Sequence, residues 1–281
     1  MYESYWQLDC KPFENTADPR FYFPGEPQQS ALLKLRYAIE NRRGAAALCG
    51  ASGTGKSLVA RMLRENLGQQ YQPQVHLVFP QMQTDELLVY LADQLEGGGA
   101  GDAFDARPTG DRPSVRRSIE RIERTLAENA QAERHALVII DEAHLLEHPE
   151  TFEALRLLLN FQPNDRTPLT LLLCGQTVLL PMLERTPSLE ERLAVKSLLR
   201  PFSEHETGQY VAHRLRKAGA DRTIFAADSV PTLHALTGGI ARRINRLCDL
   251  ALLIGFAEER SEITADHLEA VAGELVAVAP E

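Results

Sequence analysis

Gly50-Ala51-Ser52-Gly53-Thr54-Gly55-Lys56-Ser57 follows a short apolar run, Ala45-Ala46-Ala47-Leu48-Cys49, and precedes a segment with Leu58, Val59, Met62 and Leu63 on one face. The eight residues fit the phosphate-loop pattern G-x-x-x-x-G-K-S/T at every fixed position. Glycines permit backbone angles that aim successive N–H groups inward, making a nest for phosphate oxygens. Lys56 is expected to reach the β- and γ-phosphates as a point charge, and the Ser57 hydroxyl to ligate Mg²⁺. Strand, loop and helix come in the order the motif requires, so the helix N-terminus also faces the phosphate. Gly50 through Ser57, with Leu58 opening the helix, are candidate nucleotide contacts. A glycine-rich turn with an incidental lysine is the alternative, set aside because context and pattern agree.

Ala136-Leu137-Val138-Ile139-Ile140 is a continuous apolar run ending in Asp141-Glu142-Ala143-His144. Such a run suits a parallel strand buried on both faces. Asp141 at its carboxyl end is placed to hold Mg²⁺ through water. Glu142, one residue on, is placed to take a proton from, or orient, the water that attacks the γ-phosphate. A strand ending in solvated acids reads the same way locally. Beside the phosphate loop, an ATP- or GTP-hydrolysing site becomes the expectation.

The chain has 281 residues, 44% of them hydrophobic, and a formal net charge of −9. That length suits one domain of ~200 residues and a smaller second one. Cys10, Cys49, Cys174 and Cys248 lie far apart with no CxxC pair, which argues against a zinc site or a disulfide framework. Met1-Tyr2-Glu3-Ser4-Tyr5-Trp6 lacks the basic and apolar regions of a signal peptide, and no apolar run is long enough to span a membrane. A cytoplasmic protein is expected.

Strand candidates 45–49, 75–79, 136–140, 169–174 and 194–198 alternate with helix candidates 28–41, 56–68, 84–95, 114–130, 150–161 and 177–184. This alternation predicts an α/β fold: a P-loop nucleotide domain with a parallel sheet flanked by helices. Residues 97–113 form a Gly/Pro/Asp-rich break, read as a flexible loop within that domain. After Pro201 the strand pattern stops. Ser203-Glu204-His205-Glu206 is a capping box opening a helix to about Ala218. A second helix follows Asp228 and ends at Gly238-Gly239, a third covers 241–256, and Thr264 caps a fourth reaching about 276. The division expected is an arm and first helix over 1–44 belonging to the nucleotide domain, the α/β core over 45–200, a small all-helical lid over 201–276 and a tail over 277–281.

Further stretches carry a resemblance: Tyr5-Trp6-Gln7-Leu8, Pro12-Phe13, Asp18-Pro19, Gln28-Gln29-Ser30-Ala31-Leu32, Cys174-Gly175-Gln176, Leu189-Glu190-Glu191-Arg192-Leu193 and Gly238 to Asp249. With them the chain resembles, over nearly its whole length, the bacterial AAA+ ATPases of the ExeA/GspA general-secretion type, relatives of MshM-like pilus-biogenesis and TniB-like transposition ATPases. The resemblance implies that Pro12, Phe13 and the 18–31 stretch border the adenine. It implies that Gln176 occupies the sensor-1 position, where an amide meets the γ-phosphate or the attacking water. It makes Arg192 an arginine finger reaching the ATP of a neighbouring subunit, against the plainer reading of a surface ion pair with Glu190 or Glu191. Arg242 matches the sensor-2 arginine. Ala241 stands where the family has proline, which leaves Arg242 and Arg243 both open for that role.

An ATP-driven oligomeric switch or assembly factor in secretion or pilus machinery is the reading favoured, with Mg²⁺ and ATP as cofactors, a homo-oligomer and protein partners. The alternative is a DNA-linked ATPase, a transposition helper or initiator-like protein, prompted by Arg242, Arg243 and Arg246. Residues 201–281 carry 8 Lys/Arg against 12 Asp/Glu, a net of −4, so charge does not favour DNA. Arg116, Arg117, Arg121 and Arg124 recur near helical spacing, but Glu120 and Glu123 between them suggest a solvated face. A helicase suggested by Asp141-Glu142-Ala143-His144 is set aside because the chain is too short for two motor domains. A nucleotide-gated binding protein without turnover is disfavoured by the intact Lys56, Asp141 and Glu142.

Overall fold

The structure is a computed structural model that describes residues 1–97, 114–163 and 167–277. Two compact units divide the chain: Ala31–Gly50 with Val59–Leu198, and Met1–Ser30 with Ala51–Leu58 and Leu199–Glu281.

The first unit is built on five strands: β1 (Ala45–Gly50), β2 (Gln74–Leu77), β3 (Ala136–Ile140), β4 (Leu169–Gly175) and β5 (Leu193–Leu199). Their order across the sheet is β2-β3-β4-β1-β5. β1 runs parallel to β4, with Cys49 opposite Gly175, and β4 runs parallel to β3, with Leu173 opposite Ile140. β2 runs parallel to β3 on the other side. Parallel neighbours need crossover connections, and helices supply them. These are α3 (Lys56–Glu65), α4 (Thr84–Leu95), α5 (Val115–Gln131), α6 (Pro149–Leu158), α7 (Leu179–Glu184) and α8 (Pro187–Glu190), with α2 (Glu26–Glu40) ahead of β1.

β1, β3 and β4 are buried along their whole length, whereas β5, at the sheet edge, alternates between exposed residues and ones that are partly covered or, at Ser197 and Leu199, buried. Ala47, Val138, Ile140, Leu171 and Leu173 share one core with Leu87 and Leu91 of α4, Ile122 and Leu126 of α5, and Phe152 and Leu155 of α6. The parallel register brings Gly50, Asp141 and Gln176 to one edge, outside the carboxyl ends of the strands, where open α/β sheets bind ligands.

Some boundaries differ from the sequence pattern. The strand candidate 75–79 ends at Leu77, because Asp141 N–H takes the Leu77 carbonyl at 2.8 Å and β3 then turns away. Val78 and Phe79 are left 62% and 65% exposed. The helix from 56 ends at Glu65, where the Asn66 amide bonds back to the Met62 carbonyl at 2.7 Å. The break at 97–113 lies outside the described residues beyond Gly97.

The second unit is helical: α1 (Glu3–Trp6), α9 (Glu204–Lys217), α10 (Ser229–Thr237), α11 (Ala241–Ala257) and α12 (Ala265–Ala277). Ser203 Oγ accepts the Glu206 N–H and the Glu206 carboxylate accepts the Ser203 N–H, so the capping box is closed at both bonds. Gly238 and Gly239 have φ of 61° and 68°, and a Cβ on Gly239 would lie 2.0 Å from the Phe202 carbonyl oxygen. Only glycine passes there, which turns the chain from α10 into α11.

Although the sequence division counts residues 1–44 with the nucleotide domain, Met1–Ser30 packs with these helices. Trp6 is fully buried and donates its indole N–H to the Leu252 carbonyl at 2.9 Å. The buried Arg214 donates to the carbonyls of Pro12 and Glu14 and to the Tyr210 hydroxyl, and its guanidinium lies over the Phe21 ring at 4.6 Å.

At the head of β3, His135 is fully buried, and its Nε2 lies 2.8 Å from Thr170 Oγ1, which donates onward to the Arg43 carbonyl. The hydroxyl proton is thereby committed, so His135 Nε2–H is the donor to Thr170. Burial pushes the His135 pKa down to about 4, with the Arg42 charge adding to the effect. Below about pH 6.5 the unfolded chain binds this proton and the folded chain does not, so stability falls as the pH drops toward 4, by an amount on the order of 2–3 kcal/mol. Urea titrations at about pH 7 and pH 5 should show this loss. A His135→Gln variant, which keeps an N–H for Thr170, should show a smaller pH dependence.

Candidate active site

The loop after β1 is shaped by Gly53 and Gly55, at φ of 82° and 100°. Nothing would lie within 4 Å of a Cβ on Gly55, so this face of the loop is open. Thr54 turns its hydroxyl inward to the Ala51 carbonyl at 2.9 Å, and Lys56 Nζ reaches the same carbonyl at 3.2 Å. Lys56 is 5% exposed. Its ammonium is therefore drawn into the loop's own curvature, where a phosphate oxygen would be a stronger acceptor than a carbonyl. Ser57 follows in the first turn of α3 and keeps an exposed side chain.

α11 abuts this loop. Ile240 is in extended conformation ahead of the helix, and the Arg242 N–H donates to the Gly53 carbonyl at 3.1 Å. This satisfies one of the free amides at the helix start. Arg242 Nη1 lies 3.4 Å from Ser52 Oγ. A Cβ on Gly53 would come within 2.7 Å of Arg242 Cβ and 3.2 Å of Ile240 Cγ2. Of the two arginines the sequence leaves open, Arg242 is the one on the loop; the Arg243 N–H turns to the Ile240 carbonyl.

At the end of β3, Asp141 is 4% exposed and its Oδ1 accepts the Glu142 N–H at 2.9 Å. Glu142 is left-handed, at φ 50° and ψ 36°. For a residue with a Cβ that conformation costs about 1–2 kcal/mol. It is held by the Leu145 N–H, which takes the Glu142 carbonyl at 2.8 Å. Glu142 Oε2 is buried and lies 3.3 Å from His144 Nδ1. The same Nδ1 is 3.4 Å from the Gln176 amide nitrogen at the end of β4. On the other side, His76 of β2 has its Nε2 3.9 Å from Asp141 Oδ2, while Arg64 approaches its Nδ1 at 3.2 Å. Burial holds the His76 pKa below the usual histidine range; Arg64 adds to this and Asp141 opposes it.

A model of the AAA domain family matches residues 39–183, more than half of the chain and the stretch that carries the loop, the acid pair and Gln176. The chain belongs to the AAA domain family. It is 31% identical over 285 residues to general secretion pathway protein A of Aeromonas hydrophila, an alignment that takes in all of this chain and 50% of that protein. The chain thus spans about half the length of the curated relative it matches. Among solved AAA-type structures, Cdc6p of Pyrobaculum aerophilum superposes with a TM-score of 0.68 at 15% identity, covering 96% of this chain and 74% of that one. The Aeropyrum pernix ORC2 protein, solved as ADPNP–ADP complexes, gives 0.65 at 17% identity, covering 95% and 72%. At these identities the likeness is one of fold.

The AAA fold places the remaining candidates as follows. Arg192 follows α8 and donates to Asn160 Oδ1 at 2.9 Å; neither Glu190 nor Glu191 is the partner seen, and Glu190 pairs with Lys196 instead. Pro12 gives its carbonyl to Arg214. Phe13 is 1% exposed, packs edge-on to Phe225, and borders a pocket of about 290 Å³ with Glu14, Asn15, Arg246 and Asp249. Sequence reasoning passed over His76, which sits in a short strand, Gln74–Leu77, and carries no motif. The spacing of residues around Arg214 carries no sign of its carbonyl partners at Pro12 and Glu14, which lie about two hundred residues away. Among the described residues no group of three or more His, Cys, Asp or Glu side chains could hold a metal by itself. Mg²⁺ is commonly bound by one or two protein oxygens completed by phosphate and water, so it does not require such a group.

Gly53→Ala should cost about 1–3 kcal/mol in a denaturant titration, since it places a side chain at positive φ against Arg242. Gly55→Ala shares the positive φ but has open space around it, so it should cost less. Equal losses from the two would mean that the Arg242 contact adds nothing.

Proposed function

We propose that the chain is a Mg²⁺-dependent ATPase that works as an oligomeric switch or assembly factor with protein partners of secretion or pilus-type envelope machinery, on the cytoplasmic side. The observation that carries the nucleotide reading is the loop Gly50–Ser57, with Lys56 turned into its curvature and the start of α11 bonded to Gly53. In this reading the loop amides and Lys56 bind the phosphates, and Ser57 with Asp141, the latter through water, holds the ion. When bound, Mg²⁺ neutralises charge on the β- and γ-phosphates. Glu142 orients the attacking water and takes its proton. Gln176 supplies an amide to the γ-phosphate or that water, and Arg242 holds the loop to the start of α11. Arg192 serves a neighbouring subunit, where a guanidinium would offset the charge that develops on the transferred group. Its partner Asn160 is neutral, which leaves its charge uncancelled by that bond.

The likeness to general secretion pathway protein A supports the secretion branch. The DNA-linked alternative loses ground on the helix that would have offered it a basic groove. On α5, Arg116 pairs with Glu120, Arg121 with Asp93 and Glu96, and Arg124 with Glu96. Charges tied up in this way offer little to a phosphate backbone.

Steady-state ATP turnover with and without duplex DNA tests the reading. Turnover indifferent to DNA is expected, and strong stimulation would transfer the chain to the DNA-linked branch. Glu142→Gln should bind ATP normally and turn over at least about a hundredfold more slowly. Lys56→Ala should lose ATP binding. Arg242→Ala should lower turnover by about tenfold while Arg243→Ala stays within about twofold, the difference expected of one charge-assisted contact.

A further inference from the structure

His144 is set back from the acid pair by one residue, and its ring is almost enclosed, with its side chain 9% exposed. Nδ1 faces two groups at nearly equal distance: Glu142 Oε2 at 3.3 Å and the Gln176 amide nitrogen at 3.4 Å. These two make opposite demands. The amide is a donor and needs a lone pair on Nδ1. The carboxylate is an acceptor and needs a proton there. One ring nitrogen carries either a lone pair or a proton, never both. Glu142 Oε2 is buried and has no hydrogen-bond partner among the described residues, so Nδ1 stands close to it without yet bonding to it. The close approach is built into the backbone as well: a Cβ on Gly175 would meet both the His144 amide nitrogen and Nδ1 at 3.3 Å, and Leu179 Cδ2 at 3.0 Å. Any residue larger than glycine at the end of β4 would press on this ring.

We infer that His144 is a positioning residue for Glu142, and that its Nδ1 serves the Gln176 amide and the Glu142 carboxylate in turn, so that the turn after β4 and the acid after β3 are never both held. With the proton on Nδ1, the ring donates to Glu142. A carboxylate that accepts such a bond is a weaker base, and it is fixed in direction. With the proton on Nε2, Nδ1 accepts from Gln176, and Glu142 is released to act on water. Movement at Gln176 thereby reaches Glu142 through one nitrogen atom. This inference rests on the ATPase reading for its consequence and on the ring geometry alone for its existence.

Two measurements on the full chain separate those supports. In turnover assays, His144→Ala should lower kcat by about tenfold, the usual scale for losing a residue that orients another, with the KM for ATP within about twofold. His144→Asn should recover only part of the loss, because its amide donates to Glu142 and accepts from Gln176 at once and so orients the acid without serving the two in turn. Wild-type kcat in His144→Ala or in His144→Asn, or no recovery in His144→Asn, overturns the inference. In ring-nitrogen NMR of the nucleotide-free protein, Glu142→Gln should shift the His144 signals, because an amide can donate to Nδ1 where the carboxylate could only accept. Unmoved signals overturn the inference. A wild-type chain without any turnover would defeat the ATPase reading instead, and the NMR result would still decide the contact.

Discussion

Three strands buried on both faces, β3, β4 and β1, fix everything that the chemistry here depends on. These strands run parallel, so their carboxyl ends fall at one edge of the sheet and not at alternating edges. The pairing of Cys49 with Gly175 and of Ile140 with Leu173 then sets how far Gly50, Asp141 and Gln176 each project. A slip of one residue in either pair would turn every side chain to the opposite face. The core packed against these strands specifies the register and through it the positions of the polar groups. No polar group at the edge needs to contribute stability of its own.

The edge contains costs that the core offsets. Glu142 sits in a left-handed conformation, Asp141 is a buried carboxylate, and Lys56 is a buried ammonium. Strain and burial of this kind concentrate where a protein acts rather than where it is held together. The two histidines beside the acid pair differ in what they face. His76 lies between Arg64 and Asp141. His144 lies between Glu142 and a backbone amide. Each carboxylate thus has its own imidazole neighbour, one from β2 and one from the turn that follows β3.

The α/β fold and the motif positions could be read from the chain because they rest on local signals. Continuous apolar runs gave β1, β3 and β4, and the Ser203 and Glu206 pair placed the start of α9 as the structure has it. The phosphate loop was visible because its glycines and lysine have fixed spacing. What stayed hidden depends on distant partners. No periodicity joins Arg214 to Pro12, or Arg192 to Asn160, since such bonds exist only once the chain is folded. The choice between Arg242 and Arg243 was hidden for a related reason. Both open the same helix, and only the loop carbonyl at Gly53 distinguishes them.

The burial of Trp6 against Leu252 joins residues 246 apart in the chain. On a ribosome Trp6 emerges well before its partner in α11. Until α11 follows, Trp6 lacks that partner, while the strands between Ala45 and Leu199 are already available to pair. The loop at 51–58 belongs to this late-closing unit. Its bond to Arg242 cannot form until α11 exists. A nascent chain therefore holds the phosphate-loop residues early, yet its loop gains the contact with α11 only once that helix has been made.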